Sequence, residues 1–348
     1  MNGISVGFYK AAGPSFCAEV GPLRYRGFCI ALFNLEITLG QLFVACICKG
    51  TSGLAGNAAF RIPFATQFAF HAIILIGLPF LPESPGWLCR KDRVDDAAKA
   101  LARLLGPKVP KGEIDAQIAI MQYTLRKESE LHRAGEARFI DLLKQPDLRR
   151  TIIGASMFIA IQIVGVPFVI GYSTFFFSQV GIKNAVGISC GIIAISIAAN
   201  FTTWFLMDSV SRRPLIVWGS LALGLMLFII GIMGSLTPTF ATNAVIVVFM
   251  CIWAFVYPLT FGVGAWIIGG EISSPKLRAK AQSNAVAVAC GQLFQFGVTL
   301  AMPYMLNKSA GNLGAKIGYV WGSTCTFGVH CGVLLSSGDA SSNIRGAQ

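Results

Sequence analysis

Charged residues are scarce in this chain, at 13% of its 348 residues. Soluble domains carry about 25%, so an ordinary water-soluble fold is excluded. Apolar residues fill the deficit: they make up 54% of the sequence, and the mean hydropathy is +0.65. A helix that crosses a bilayer needs about 20 mainly apolar residues. Stretches of that kind lie at 28–48, 62–81, 152–177, 185–207, 215–236, 244–270 and 285–305, with weaker ones at 4–17 and 317–335. The sequence therefore predicts an all-α polytopic membrane protein.

The residue patterns of enzymes and metal sites are also missing. The three histidines, at positions 71, 132 and 330, lie far apart, and no H-E-x-x-H motif or P-loop is present. Ten cysteines are mostly scattered through apolar runs, without C-x-x-C spacing. We therefore expect no catalytic residue, no metal, no disulfide framework and no bound cofactor.

Positive charge is abundant, with a formal net charge of +12, but its distribution argues against a nucleic-acid partner. Of the 28 Lys and Arg, 14 lie between Arg90 and Arg150, interleaved with most of the acidic residues. The remaining basic residues sit mainly in every second short loop. Basic loops stay on the cytoplasmic side of a membrane. The pattern predicts a lipid bilayer as partner and a cytoplasmic location for the polar segment 82–150.

An internal repeat gives the architecture. "AEVGPLRYRGF" and "GEISSPKLRAK" each contain a Glu, a Pro, and an Arg seven residues after the Glu, so that Glu19/Arg26 corresponds to Glu271/Arg278 at an offset of 252 residues. Two halves that keep the same orientation are a secondary-transporter architecture. Six apolar stretches lie within the 252-residue offset, so each half should contain six helices. A complete chain would then need about 504 residues, which is twice the offset. We therefore expect a chain truncated at both ends, with about eight or nine of twelve helices.

The motifs themselves resemble a known family. "LPESPGWLCRKDRVDDAAKALARL" resembles the PESPRWL signature after the sixth helix of the sugar porter family of the major facilitator superfamily. "DSVSRR" resembles the D-x-x-G-R-R box between the eighth and ninth helices of that family. "RIPFATQ", "GYSTFFFSQVGI" and "PYMLNKSAGNLGAKIGYVWG" are similar to fungal α-glucoside (maltose-type) permeases. The resemblance is collinear from about residue 7 to 325.

The resemblance implies a domain plan. Residues 1–81 correspond to helices four to six, and residues 82–150 to the cytoplasmic helical linker. Residues 151–335 correspond to helices seven to twelve, of which the last is degenerate, and 336–348 to a disordered tail.

The resemblance also implies a cytoplasmic latch, a set of charged residues that hold neighbouring helices together in the outward-facing state. Its members here are Glu19, Arg26, Glu83, Asp208, Arg212, Arg213, Glu271 and Arg278. Charges at a membrane boundary are tolerated when they are paired or hydrated. The alternative is that these residues only anchor the topology.

Sugar recognition needs amides and hydroxyls, together with an aromatic ring for the C–H face of the sugar. By the resemblance, the substrate-binding residues are Gln162 and Tyr172 of the seventh helix, Trp266 of the tenth and Asn34 of the fifth. Ile161 and Pro167 replace a Gln and an Asn of the family pattern, which removes two polar contacts.

The tenth helix of the family bends at glycine and proline. Here Gly262 and Gly264 represent that break, and we predict that they form the hinge. Glu36, within the fifth helix, has no counterpart in the family. We interpret it as packing tolerance or sequence decay, with a proton-linked site as the alternative.

The function implied by the resemblance is transmembrane sugar transport by alternating access in the plasma membrane. The substrate would be an α-glucoside or a hexose, and a proton would be the coupling ion. The alternative is a truncated or sensor-like relative that does not transport, favoured by the lost polar contacts and by the tail "SSGDASSNIRGAQ".

Overall fold

The computed structural model describes residues 26–54, 56–106, 109–133, 147–181, 184–207, 212–237, 239–262, 264, 277–307 and 309–334, together with 3, 6–9, 13 and 16. Every regular element in these ranges is helical. The helices are α1 (Arg26–Thr51), α2 (Ala58–Gly77), α3 (Pro85–Arg90), α4 (Val94–Leu105), α5 (Lys111–Arg133), α6 (Asp147–Ile163), α7 (Ser173–Gln179), α8 (Ala185–Met207), α9 (Arg212–Ser235), α10 (Phe240–Tyr257), α11 (Leu277–Leu306) and α12 (Ile317–Leu334).

Six helices in the described ranges are long and apolar enough to cross a membrane. They span Leu32–Thr51, Ala58–Phe80, Ala185–Phe205, Pro214–Ser235, Phe240–Gly262 and Ala285–Leu306. The prediction of an all-α polytopic membrane protein is confirmed. Helix α2 carries no buried residue, and its Phe, Ile and Leu side chains are exposed. An apolar surface of this kind suits lipid or further helices as its surroundings.

The apolar run 152–177, which looks like one span in the sequence, is broken in the structure. Helix α6 ends at Ile163, Gly165 takes a positive φ of +99°, and a π-helical turn covers Pro167–Gly171 before α7 begins. Proline cannot donate its backbone nitrogen, and only glycine adopts a positive φ without strain. The composition "GVP" therefore interrupts the helix at this point.

Helix α12 compensates for the interruption. The hydroxyl of Thr324 donates to the carbonyl oxygen of Ile163 at 2.6 Å, and the thiol of Cys325 donates to that of Val164 at 3.7 Å. Inside a membrane, a backbone group freed by a helix break must find a partner within the protein. Side chains of α12 thus stabilise the broken end of α6.

The polar segment forms a small core of its own. Leu88, Ala97, Leu101, Ile114 and Ile118 bury one another where α3, α4 and α5 meet. The start of α3 is fixed by the Ser84 hydroxyl, which accepts a hydrogen bond from the Trp87 amide.

Surface charges reinforce the start of α4. The Arg93 guanidinium donates to Asp96 at 2.9 Å and holds the pKa of that carboxyl below its usual range. In the same small core as α4, burial raises the pKa of the Cys89 thiol.

The remaining helices form one apolar bundle. Helix α6 packs against α11 and α12, α9 packs against α10 and α12, and α1 packs against α8. The centre of the bundle is filled by large buried side chains, among them Phe168, Trp253, Phe261 and Met302.

Candidate functional site

Gln162 occupies the last turn of α6, immediately before the helix break. Its side chain is only 8% exposed, and it makes no hydrogen bond to any other residue that the structure describes. Its amide nitrogen and oxygen are not sealed inside the bundle, because both keep some access to solvent. An amide in this state is suited to a ligand that carries hydroxyl groups. Ile161 and Pro167, which stand at two polar positions of the family pattern, are also buried.

Tyr172 lies at the other end of the break, as the residue immediately before α7. Its hydroxyl donates to the carbonyl oxygen of Thr299 on α11 at 3.3 Å. The two following hydroxyls point to α8, because Ser173 and Thr174 both donate to Ser189 Oγ, at 3.2 and 2.7 Å. Tyr172 is therefore fixed between α11 and α8, with its ring half-buried.

Asn34 lies on α1 and contacts the facing helix α8. Its Nδ2 donates to Asn200 Oδ1 at 2.6 Å, and the Nδ2 of Asn200 donates to Thr38 Oγ1 at 3.3 Å and to the carbonyl oxygen of Ser196 at 2.9 Å. Ser196 in turn donates to the carbonyl oxygen of Ala254 on α10 at 3.1 Å. A polar network thus joins α1, α8 and α10 inside the apolar bundle.

Asn200 is the residue that the sequence analysis missed. It is fully buried, and its amide accepts from Asn34 and donates twice. The available signal is a single Asn within the apolar run "AISIAANFTTW". Polar side chains in apolar helices commonly bond to a neighbouring helix, so a lone Asn in such a run indicates a contact between helices.

Gly262 ends a second π-helical turn, Pro258–Gly262, which follows α10. A Cβ at this position would lie 3.4 Å from Asn34 Nδ2, so the structure brings the predicted hinge glycine and a predicted sugar-binding residue together. Gly264 is buried, and a Cβ at this position would lie 3.8 Å from Ile216 Cγ1. Both π-helical turns pack against α8 and α10. Trp266 lies outside the described residues.

The latch residues lie mostly outside what the structure describes. Glu19, Asp208 and Glu271 fall in undescribed ranges. Arg26 and Arg212 begin α1 and α9, while Arg213 and Arg278 follow at the second position of α9 and α11, with only their backbone described. Glu83 is exposed and makes no ion pair within the described ranges. The latch stays a prediction.

Glu36 lies two residues after Asn34 on α1. Its side chain is exposed, whereas Leu35 and Thr38 are buried. It therefore takes no part in the contact between α1 and α8.

Comparison with known proteins identifies the family. Residues 1–335 match the family described as "Sugar (and other) transporter". The chain belongs to this family. It is 31% identical over 327 residues to a general alpha-glucoside permease of Saccharomyces cerevisiae, covering 92% of this chain and 52% of the permease. The high glucose sensor RGT2 of the same yeast is 26% identical, over 92% of this chain and 43% of the sensor.

The fold is that of a known transporter. A solved structure of the major facilitator superfamily proton:xylose symporter XylE superimposes with a TM-score of 0.78 at 19% identity, covering 94% of this chain and 67% of XylE. The major facilitator fold implied by the family resemblance is confirmed. The chain spans about half the length of the curated sugar-transporter relatives it matches. Homologues of this kind are transporters or sensors, so the prediction that the chain is not an enzyme is confirmed.

Proposed function

We propose that this sugar-transporter family member carries an α-glucoside or a hexose across the plasma membrane by alternating access. The observation that carries the proposal is Gln162 at the end of an interrupted helix: the residue is largely buried, but its amide keeps access to solvent and makes no hydrogen bond to the described residues. Secondary transporters bind their substrates beside discontinuous helices near the middle of the membrane. The 31% identity to an alpha-glucoside permease favours the α-glucoside.

Four residues form the proposed sugar site. Gln162 and Asn34 would bind sugar hydroxyls through their amides, while Tyr172 and Trp266 would offer ring faces to its C–H groups. Asn34 Nδ2 already bonds to Asn200, so a sugar would exchange with this contact or share it. Gly262 and Gly264 would allow the end of α10 to bend during the cycle.

We propose proton symport as the coupling mechanism. Support comes from the fold, because the superimposed XylE is described as a proton:xylose symporter. In this mode, uptake rises with an inward proton gradient and falls when a protonophore dissipates it.

Uptake of labelled maltose and labelled glucose by yeast that lack their own sugar transporters tests the proposal. We expect saturable uptake of maltose that is strongly reduced in Gln162→Leu. The matched control is Gln67→Leu, which makes the same change on the exposed surface of α2. Surface expression measured in parallel separates lost transport from lost protein. Absence of uptake for both sugars at normal expression would refute transport by this chain.

A sensor that binds sugar without moving it is the second candidate. Two observations favour it: the 26% identity to a high glucose sensor, and the apolar Ile161 and Pro167 at two polar positions of the family pattern. A sensor would bind labelled sugar in isolated membranes and show no uptake. The two measurements together therefore decide between the candidates.

A further inference from the structure

The orientation of the Asn200 amide is set by a backbone carbonyl group. Asn200 Nδ2 donates to the carbonyl oxygen of Ser196 at 2.9 Å. A carbonyl oxygen can only accept a hydrogen bond, so the nitrogen end of this amide must face Ser196. Thr38 agrees with this orientation: its hydroxyl donates to the carbonyl oxygen of Asn34 at 3.0 Å and accepts from Asn200 Nδ2 at 3.3 Å. Asn200 therefore turns its oxygen toward the side chain of Asn34.

The orientation of the Asn34 amide follows from that of Asn200. The oxygen of Asn200 needs a donor, and Asn34 Nδ2 supplies one at 2.6 Å. The oxygen and the nitrogen of an amide point in different directions, so Asn34 Oδ1 is turned away from Asn200. This oxygen accepts no hydrogen bond from the residues that the structure describes, and it keeps some access to solvent. A ligand can therefore reach it.

The Asn34 amide lies beside an interrupted segment. A Cβ at Gly262 would lie 3.4 Å from Asn34 Nδ2, and Gly262 ends the π-helical turn Pro258–Gly262. This turn packs against α8, the helix that carries Asn200. Asn34 is thus held next to one of the two interrupted segments, where secondary transporters bind their substrates.

We propose that Asn200 is a positioning residue of the sugar site: it holds the Asn34 amide so that Asn34 Oδ1 accepts a hydrogen bond from a sugar hydroxyl group. The sugar then shares Asn34 with Asn200 and does not displace it. This role rests on the proposed sugar site, and it specifies the polarity of one contact within that site. An Asn34 side chain without Asn200 would be free to present either its oxygen or its nitrogen, and the preference for a donating hydroxyl would be lost.

Fluorinated sugars test the polarity of the contact. Radiolabelled maltose, bound to membranes that contain the full chain, is displaced by monodeoxyfluoro analogues of maltose, each with one hydroxyl group replaced by fluorine. Fluorine cannot donate a hydrogen bond. We expect at least one analogue to bind the original chain about fivefold more weakly than maltose, the value of a single hydrogen bond. The same analogue should bind Asn34→Leu as well as maltose does. Fluorine effects that all persist in Asn34→Leu would overturn the acceptor role of Asn34.

Variants at position 200 test the positioning. Asn200→Ala removes the acceptor for Asn34 Nδ2, so the fluorine effect should disappear. Asn200→Asp keeps an oxygen toward Asn34 in either protonation state and should retain the effect. Thr203→Val is the matched control and should also retain it, because this buried hydroxyl on α8 donates to the Ala199 carbonyl oxygen of its own helix. The fluorine effect is a ratio of two affinities within one variant, so a lower amount of folded protein does not change it.

The outcomes separate this role from the sugar site itself. A fluorine effect that is unchanged in Asn200→Ala, or lost equally in Thr203→Val, would overturn the positioning role. If the original chain binds maltose in these experiments and Gln162→Leu weakens the binding, the proposed site stands without that role. Absence of maltose binding by the original chain would refute the proposed site and the role of Asn200 with it.

Discussion

At the scale of single residues, Asn200 decides how α1 meets α8. An amide placed in an apolar helix needs partners for its oxygen and its nitrogen. Asn200 finds them in Asn34, Thr38 and the carbonyl oxygen of Ser196. Neither helix could satisfy these groups alone, so the network fixes the position of one helix against the other.

Replacement of Asn200 by Ala should destabilise the protein by about 1–2 kcal/mol, because the half-buried amide of Asn34 loses its acceptor. Thermal unfolding in detergent measures the effect. Thr202→Ala is the matched control, since this exposed hydroxyl bonds to the Ala198 carbonyl of its own helix and not to another described helix. Equal unfolding temperatures for the two variants would contradict the network. The double variant Asn34→Ala/Asn200→Ala should lose less than the sum of the single variants.

Gly165 is the second residue on which the site depends. Its φ is +99°, and a Cβ would lie 2.9 Å from Leu227 Cδ1. Gly165→Ala should therefore cost about 1–3 kcal/mol through backbone strain and crowding. Gly171→Ala is the control, because a Cβ there meets no atom within 4 Å. An unfolding temperature for Gly165→Ala as high as that of the control would exclude strain at the break.

Motifs in the sequence mark Gln162, Tyr172 and the hinge glycines, and their roles stay predictions. Motifs could not reveal the pairing of Asn34 with Asn200, since a hydrogen bond between residues 166 positions apart depends on how two helices pack. Each of these residues looks unremarkable in its own segment.

At the scale of elements, α9 and α12 approach closely through small residues. A Cβ at Gly318 would collide with the Leu227 carbonyl oxygen and would lie 2.8 Å from the backbone nitrogen of Gly231. A Cβ at Gly234 on α9 would collide with the Cβ of Ala315, which lies in the turn just before α12. Membrane helices pack tightly where small residues allow their backbones to meet. This contact holds α12 in the bundle although its sequence looks like a weak span.

Gly318→Ala should separate α9 from α12 and destabilise the fold by about 1–3 kcal/mol. Because α12 also supplies the partners of the α6 break, sugar uptake should fall as well. Gly297→Ala on α11 is the control, since a Cβ at this exposed glycine meets nothing within 4 Å. Unfolding temperatures measured in detergent compare the two variants, and indistinguishable values would refute the close crossing.

The polar segment can be tested as an element of its own. Leu101 is 6% exposed in the small core of α3, α4 and α5. Leu101→Ala should cost about 2–5 kcal/mol within this unit and speed its cleavage by protease. Leu104→Ala, at a half-buried position outside that core, should change cleavage little. Equal cleavage of both variants would show that the segment has no core of its own.

The sequence predicted the helices well, because apolar runs of membrane-spanning length are strong signals. The break within 152–177 was the main departure. Hydropathy does not reveal this break, because Gly165, Val166 and Pro167 are no more polar than their neighbours. Backbone geometry, set by a positive φ and a missing amide hydrogen, interrupts the helix at that position.

At the scale of the whole molecule, the family and the fold rest on two independent comparisons. The match over residues 1–335 establishes the family, and the superposition on XylE establishes the fold. Two interrupted segments, Pro167–Gly171 and Pro258–Gly262, pack against the same helices α8 and α10. Binding of a sugar between them is the central claim, and transport and sensing both require it.

Equilibrium binding of radiolabelled maltose to membranes containing the chain tests this claim most directly. We predict saturable binding that unlabelled maltose displaces, that Gln162→Leu weakens at least about tenfold, equivalent to 1.4 kcal/mol, and that Gln67→Leu leaves unchanged. Binding that is absent from the original chain, or equal in Gln162→Leu and Gln67→Leu, would contradict a sugar site at the break of α6.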